Sequence, residues 1–204
     1  GILVTHEHGD HVGGVFPFAR RHGLPVWLSH GTSSACQAAA KGVELRIIDG
    51  DAAFCVEALE VQPFPVPRDA REPLQFVFSD GNRRLGLLTD AGEITRHMRD
   101  MLSGVDGLIL ECNHDAGMLA SSRYPPSLQR RIAGRLGHLA NDAAADLLRE
   151  IDSSRLQHIV AAHLSEQNNH PSLAVSALAT VLGFANERIG VAGQEAGFDW
   201  RQLV

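Results

Sequence analysis

Lysine is almost absent: Lys41 is the only one among 18 basic residues, and the others are arginine. Aromatic residues make up 5% of the chain, with Tyr124 the only tyrosine, so no ladder of rings exists for stacking successive bases. The three cysteines, Cys36, Cys55 and Cys112, form no CxxC pair, so neither a thiolate zinc site nor a disulfide framework is suggested. No apolar run reaches the roughly 20 residues that span a bilayer, and no basic-then-apolar leader precedes the first motif; a cytoplasmic protein without membrane contact is expected. The net charge of −6 excludes a general basic coat for duplex DNA, although it leaves room for a local patch. Neither a GK[ST] ending nor GxGxxG spacing occurs, so the glycines of HVGGV build no phosphate-binding loop.

What is present describes a folded chain. With 204 residues, 44% of them hydrophobic, and no repeat or linker, the sequence predicts one continuous domain over 1–204. Ile2 to Thr5 reads as a short strand, although Gly1 opens directly onto it. A helix from Val15, strands in LPVWLS and ELRII, and a helix over TSSACQAAAK make βαβ alternation. After Asp51 paired strands are predicted in AFCVEALEVQPFPV, then a hairpin turning at Asp80-Gly81-Asn82. Helices over Ile94–Leu102, Ser127–Leu136, Asp142–Ile151 and Ser172–Gly183 alternate with strands in DGLILEC and LQHIVAAHL.

The opening GILVTHEHGDHVGG places His6, His8, Asp10 and His11 within six positions at the end of an apolar strand. Polar groups crowded beside a core need partners, and a metal ion supplies them. Side chains two apart on an extended segment share a side, so His6 and His8 can meet one ion while Asp10 and His11, beyond the turn, face a second. Imidazole and carboxylate donors suit zinc or manganese and admit iron, so one or two divalent ions are expected.

HxHxDH after an apolar strand resembles the signature of the metallo-β-lactamase fold superfamily. That resemblance implies an α/β fold, an αββα sandwich of two mixed β-sheets flanked by helices. It also implies that Asp90, ending LGLLTD, bridges two ions, that His6 and His8 hold the first, and that Asp10, His11 and His163, ending HIVAAH, hold the second. The intermediate histidine of the signature is missing: Arg68 stands in its slot in PFPVPRDAREP, and a guanidinium cannot ligate a metal. Further phrases (VTHEHGDH, GLPVW, DAREPLQF, ECNHD, RIAGRLGHLAN and HLSEQNN) are similar to the YycJ (WalJ-like) branch of bacterial DNA exonucleases. Against that branch the opening strands are expected to be missing, so the fold is N-terminally incomplete.

The expected reaction is phosphodiester hydrolysis by a metal-bound water, with DNA, single-stranded or at its ends, as the substrate. Asp10 positions the nucleophile, Arg68 offsets charge or holds a phosphate, and His114 or His138 protonates the leaving oxygen. A helix over SLQRRIAGRLGHLAN would place Arg131 and Arg135 on one face, ending near His138 and Asn141, and lead a phosphate backbone to the metals. Two alternatives stay open: a metallo-hydrolase of a small anionic substrate such as a cyclic nucleotide or thioester, and a non-catalytic nucleic-acid-binding relative with an impaired metal site. Oligomeric state is not legible.

Overall fold

A computed structural model describes residues 1–183 and 188–204. Two sheets lie face to face. The smaller is parallel, in the order β1 (Ile2–Leu3), β2 (Val26–Ser29), β3 (Leu45–Ile48). The larger is mixed, in the order β10 (Ile189–Val191), β9 (His158–Ala162), β8 (Gly107–Glu111), β7 (Arg84–Leu88), β6 (Leu74–Ser79), β5 (Leu59–Pro65), β4 (Phe54–Val56). Strands β4 to β7 pair antiparallel, and β7 to β10 pair parallel.

Strand alternation explains the layering. In β2, Val26 and Leu28 turn to one side, where they pack on Phe16 and Ala19 of helix α2 (Val15–His22) and Cys36 of α3 (His30–Cys36). Trp27 turns to the other side, into the seam between the sheets with Ile48, Val61, Leu74 and Phe76. On its far face the larger sheet is covered by α4 (Arg96–Leu102), α7 (Asn141–Glu150) and α8 (Pro171–Leu182), which bury Met98, Leu102, Leu147 and Leu178 against Leu88, Leu108 and Leu110. The result is the helix–sheet–sheet–helix order that the resemblance implies. No helix among the described residues is long and apolar enough to cross a membrane.

Local chemistry sets most element ends. The hairpin turns at Asp80, whose Oδ1 accepts from the backbone of Asn82 and Arg83 at 2.8 and 2.7 Å, with Gly81 at φ +95°. Helix α4 is capped by Thr95, which accepts from Met98 N. Two short helices, α1 (Gly9–Val12) and α5 (Ala116–Ala120), were not foreseen.

Two predicted helices are shorter than expected. The one predicted over TSSACQAAAK is α3, which begins at His30 and stops at Cys36. The one predicted over Ser127–Leu136 is α6, Pro126–Ile132. Beyond it the chain folds back: Gly134 N donates to Arg131 O, Gly137 N to Gly134 O, and His138 N to Ile132 O at 2.8 Å. Arg135 therefore lies outside the helix and shares no helical face with Arg131. A Cβ on Gly137 would collide with the carbonyl oxygens of Arg131 and Ile132, and one on Gly92 with the carbonyl of Arg135. These glycines allow the turn to pack tightly enough to bring His138 inward.

Gly137→Ala is expected to lower stability by roughly 1–3 kcal/mol, as overpacking does, whereas Gly14→Ala, with open space around its Cβ, should change it by less than about 0.5 kcal/mol. Urea unfolding of the two variants makes the comparison, and equal midpoints would remove the steric account.

Candidate metal centre

The parallel register of β7, β8 and β9 aligns their C-terminal ends, pairing Leu88 with Leu110 and Glu111 with Ala162. Asp90, Glu111 and His163 thereby arrive side by side. Asp90 and His163 both take left-handed backbone angles, φ 52° and 57°, which non-glycine residues seldom adopt and which cluster at functional sites. The loop after β1 brings His6, His8, Asp10 and His11 from the smaller sheet, and the loop after β5 brings Arg68 and Asp69.

Glu111 organises the far wall. Its fully buried Oε1 lies 2.9 Å from both His138 Nδ1 and His163 Nδ1, while Oε2 accepts from Ala91 N and Leu139 N. Burial alone would raise this carboxyl, but the bonds from His138 and His163 outweigh it and keep Glu111 below the usual range. An ionised carboxylate only accepts, so each imidazole donates its Nδ1–H and keeps Nε2 for another partner. His163 Nε2 lies 3.5 Å from Asp90 Oδ2. Burial would lower the His163 imidazole; the hydrogen bond and charge of Glu111, then Asp90 and Asp10, raise it instead.

Thr5 plays the matching part on the near wall. Its buried hydroxyl is 3.0 Å from both His6 Nδ1 and His11 Nδ1, and it can fix both rings because a hydroxyl donates one proton and accepts through its lone pairs. His11 Nε2 then lies 2.9 Å from Asp90 Oδ2 and 3.6 Å from Asp10 Oδ2. Burial, and next the charge of His11, lowers His6 to about 4, so it is a neutral imidazole near pH 7.

Asp90 sits at the centre, 1% exposed. Neither carboxylate oxygen has a well-formed hydrogen bond, although His11 Nε2 reaches Oδ2 and Arg68 Nη2 reaches Oδ1 at 2.7 Å. Burial would raise this carboxyl as well; the neighbouring His11, then the charges of His163, Arg68 and His138, hold it well below the ordinary carboxylate range. A buried, ionised and incompletely bonded carboxylate among imidazole nitrogens is the donor set of a divalent cation. Asp10, His11 and His163 present ligand atoms within 4.8 Å of one another, as do His6, His11 and Asp90, and Asp90, Glu111, His138 and His163.

The other anticipated residues are placed as follows. His138 joins the cluster 3.5 Å from Asp90 Oδ1. Asp10, largely exposed, lies on the rim. With Arg68, Asn113, Tyr124, His138 and His163 it lines a cavity of about 360 Å³. His114 is buried but lines a different cleft, between α5 and α6. Asn141 is buried in a reciprocal amide pair with Asn169, both bonds 2.9 Å. Arg131 pairs with Asp69 and Arg135 with Glu93, each at 2.7 Å on the surface. Glu111 and Thr5 escaped the sequence reading; the acid that closes the buried strand DGLILE was the available signal for the former.

The β-lactamase superfamily domain model matches residues 1–159. Exodeoxyribonuclease YycJ of Bacillus anthracis is 37% identical over 186 residues, covering 89% of this chain and 70% of that protein. The chain belongs to the β-lactamase superfamily, in the branch that contains YycJ. Exodeoxyribonuclease WalJ of Streptococcus pneumoniae is 31% identical over 198 residues, 93% of this chain and 72% of its own length. Among solved structures, the metallo-β-lactamase fold protein YhfI from Bacillus subtilis superposes with a TM-score of 0.72 at 17% identity, covering 97% of this chain and 76% of that one. That likeness supports the superfamily fold.

Because Asp90 belongs to two of the three groups of converging donor atoms among the described residues and His6 to one, Asp90→Ala should abolish uptake of manganese or zinc, whereas His6→Ala should weaken it only in part. Metal content after dialysis measures both, and equal retention would take Asp90 out of its central place.

Proposed function

We propose that residues 1–204 form one metal-dependent phosphodiester hydrolase domain acting on DNA, at ends or in single strands, with zinc or manganese as its ion. The observation that carries this reading is the Glu111–His138 pair beside Asp90, on the wall of a cavity that also presents Arg68. The YycJ and WalJ names, at 37% and 31% identity, support DNA over a small anion.

Asp10, His11, Asp90 and His163 would hold an ion, which when bound acts as a Lewis acid and lowers the pKa of water. The remaining work belongs to the chain. Arg68, fixed by Gly137 O and Asp90, offers a permanent positive charge to the phosphate. His138, oriented through Nδ1 by Glu111, would protonate the leaving oxygen from Nε2 as an imidazolium, and Asp10 at the rim orients the attacking water. A cavity of about 360 Å³ is nucleotide-sized. Tyr124 in its wall can stack on one base, so the backbone is read more than the sequence. Arg131 and Arg135 contribute at the entrance, since exposed ion pairs like theirs are worth at most about 1 kcal/mol and are readily exchanged for phosphate.

With a 5′- or 3′-labelled single-stranded oligonucleotide and added manganese, the chain should release mononucleotides. His138→Asn should reduce this turnover by roughly 10²–10⁴-fold, the usual contribution of a general acid, with metal content unchanged. Full turnover in that variant would move the proton donor elsewhere. Replacing Arg131 and Arg135 together by glutamine should weaken DNA binding and flatten its logarithmic salt dependence by about 0.7 per lost phosphate contact. An unaltered slope would assign both arginines to the solvated surface. Binding without cleavage in either metal would favour the non-catalytic alternative.

A further inference from the structure

We infer that the Arg68 guanidinium occupies the place of one of the two cations for which the HxHxDH motif is built, so that this chain takes up one divalent ion, on the Asp10–His11–His163 side of Asp90. The inference rests on the metal-site reading above.

Arg68 does not merely pass near the site. Its side chain is 8% exposed, and three of its nitrogens have assigned surroundings. Nη2 is 2.7 Å from Asp90 Oδ1 and 3.5 Å from His8 Nδ1. Nη1 donates to Gly137 O at 2.6 Å. Nε lies 3.5 Å from Asp69 Oδ1. The backbone on both sides of the loop is pinned, with Gly92 N donating to Pro67 O at 2.9 Å and Asp69 N to Leu136 O at 3.2 Å.

The ligand atoms around it are already engaged in a way that suits a guanidinium. His8 Nε2 is 3.1 Å from the Asp69 carbonyl; a carbonyl accepts only, so that nitrogen carries the proton and the Nδ1 lone pair faces His6 Nε2 at 3.0 Å and Arg68 Nη2 at 3.5 Å. Asp90 is divided between the two sides: Oδ1 faces the arginine at 2.7 Å and His138 at 3.5 Å, while Oδ2 faces His11 and His163. A dication between His8 and Oδ1 would share an oxygen with the buried arginine and meet its positive charge at close range. On the Oδ2 side Asp10, His11 and His163 converge. The chain therefore carries one of the two positive charges covalently, where no chelator removes it.

The test is metal stoichiometry on the full chain, loaded with Mn²⁺ and dialysed, read by mass spectrometry and by electron paramagnetic resonance. The wild type should hold one ion per chain, with the hyperfine pattern of an isolated Mn²⁺. Arg68→His should hold two, with the signature of an exchange-coupled pair, and Arg68→Lys, which keeps the charge, should hold one. His8→Ala should retain the wild-type ion and His163→Ala should lose it, a contrast that stands even if Arg68→His fails to fold. Two ions in the wild type, a single ion in folded Arg68→His, or loss of the ion in His8→Ala with retention in His163→Ala would each overturn the inference. No ion in the wild type would overturn the metal reading and this inference with it.

Discussion

Keeping two carboxylates ionised out of water is the constraint on which this site depends. Asp90 and Glu111 are 1% and 0% exposed, and burial by itself pushes both towards the neutral acid. Glu111 is compensated by two backbone amides and two imidazoles, a closed arrangement that fixes which nitrogen of His138 and His163 carries the proton. Asp90 is compensated by His11 at 2.9 Å and then by the charges of His163, Arg68 and His138. Arg68 and the imidazoles of His11 and His163 surround it, and the space on its Oδ2 side suits an ion. Removing one partner of such a buried pair typically costs 3–5 kcal/mol, so the site and the stability of the sheet ends are coupled.

That coupling explains why the strands stop where they do. The parallel register sets Leu88, Leu110 and Ala161 level, and within two residues the outer two strands leave the sheet through left-handed turns at Asp90 and His163. Such backbone persists only where surrounding contacts fix it. Here Asn113 Nδ2 donates to His163 O, and Gly92 N to Pro67 O. The inner sheet faces supply a rigid floor, and the loops supply the chemistry. Arg68 fits this scheme as a cation built into the chain. At an effective dielectric constant of about 20, a guanidinium and a dication roughly 4 Å apart repel by about 8 kcal/mol, which few ligand sets would offset.

How much of this was legible in the sequence depended on whether the signal was local. His6, His8, Asp10 and His11 lie in one short run whose spacing already implies a shared ion; the alternation of apolar and helical runs gave βαβ units, and the αββα layering came from the resemblance. Asp90 and His163 were found because each ends an apolar strand and the resemblance assigns those positions. Glu111 was missed because an acid at a strand end looks the same whether it is solvated or buried; only the alignment of three strands separates the cases. Arg131 and Arg135 were put on one helical face because RIAGRLGHLAN has helical apolar spacing, yet Gly134 and Gly137 break it and direct His138 inward. His114 followed the same strand as Glu111 but turned into another cleft, a choice of side that strand-end position alone does not encode.

The central claim is that a divalent ion sits on the Oδ2 side of Asp90, with Arg68 on the Oδ1 side. Anomalous scattering from crystals of the full chain grown with manganese tests it most directly. The account predicts one peak among Asp10, His11, Asp90 and His163, with the Arg68 guanidinium still paired to Asp90. A peak between His6 and His8 with Arg68 displaced, or no peak near Asp90 at all, would contradict it.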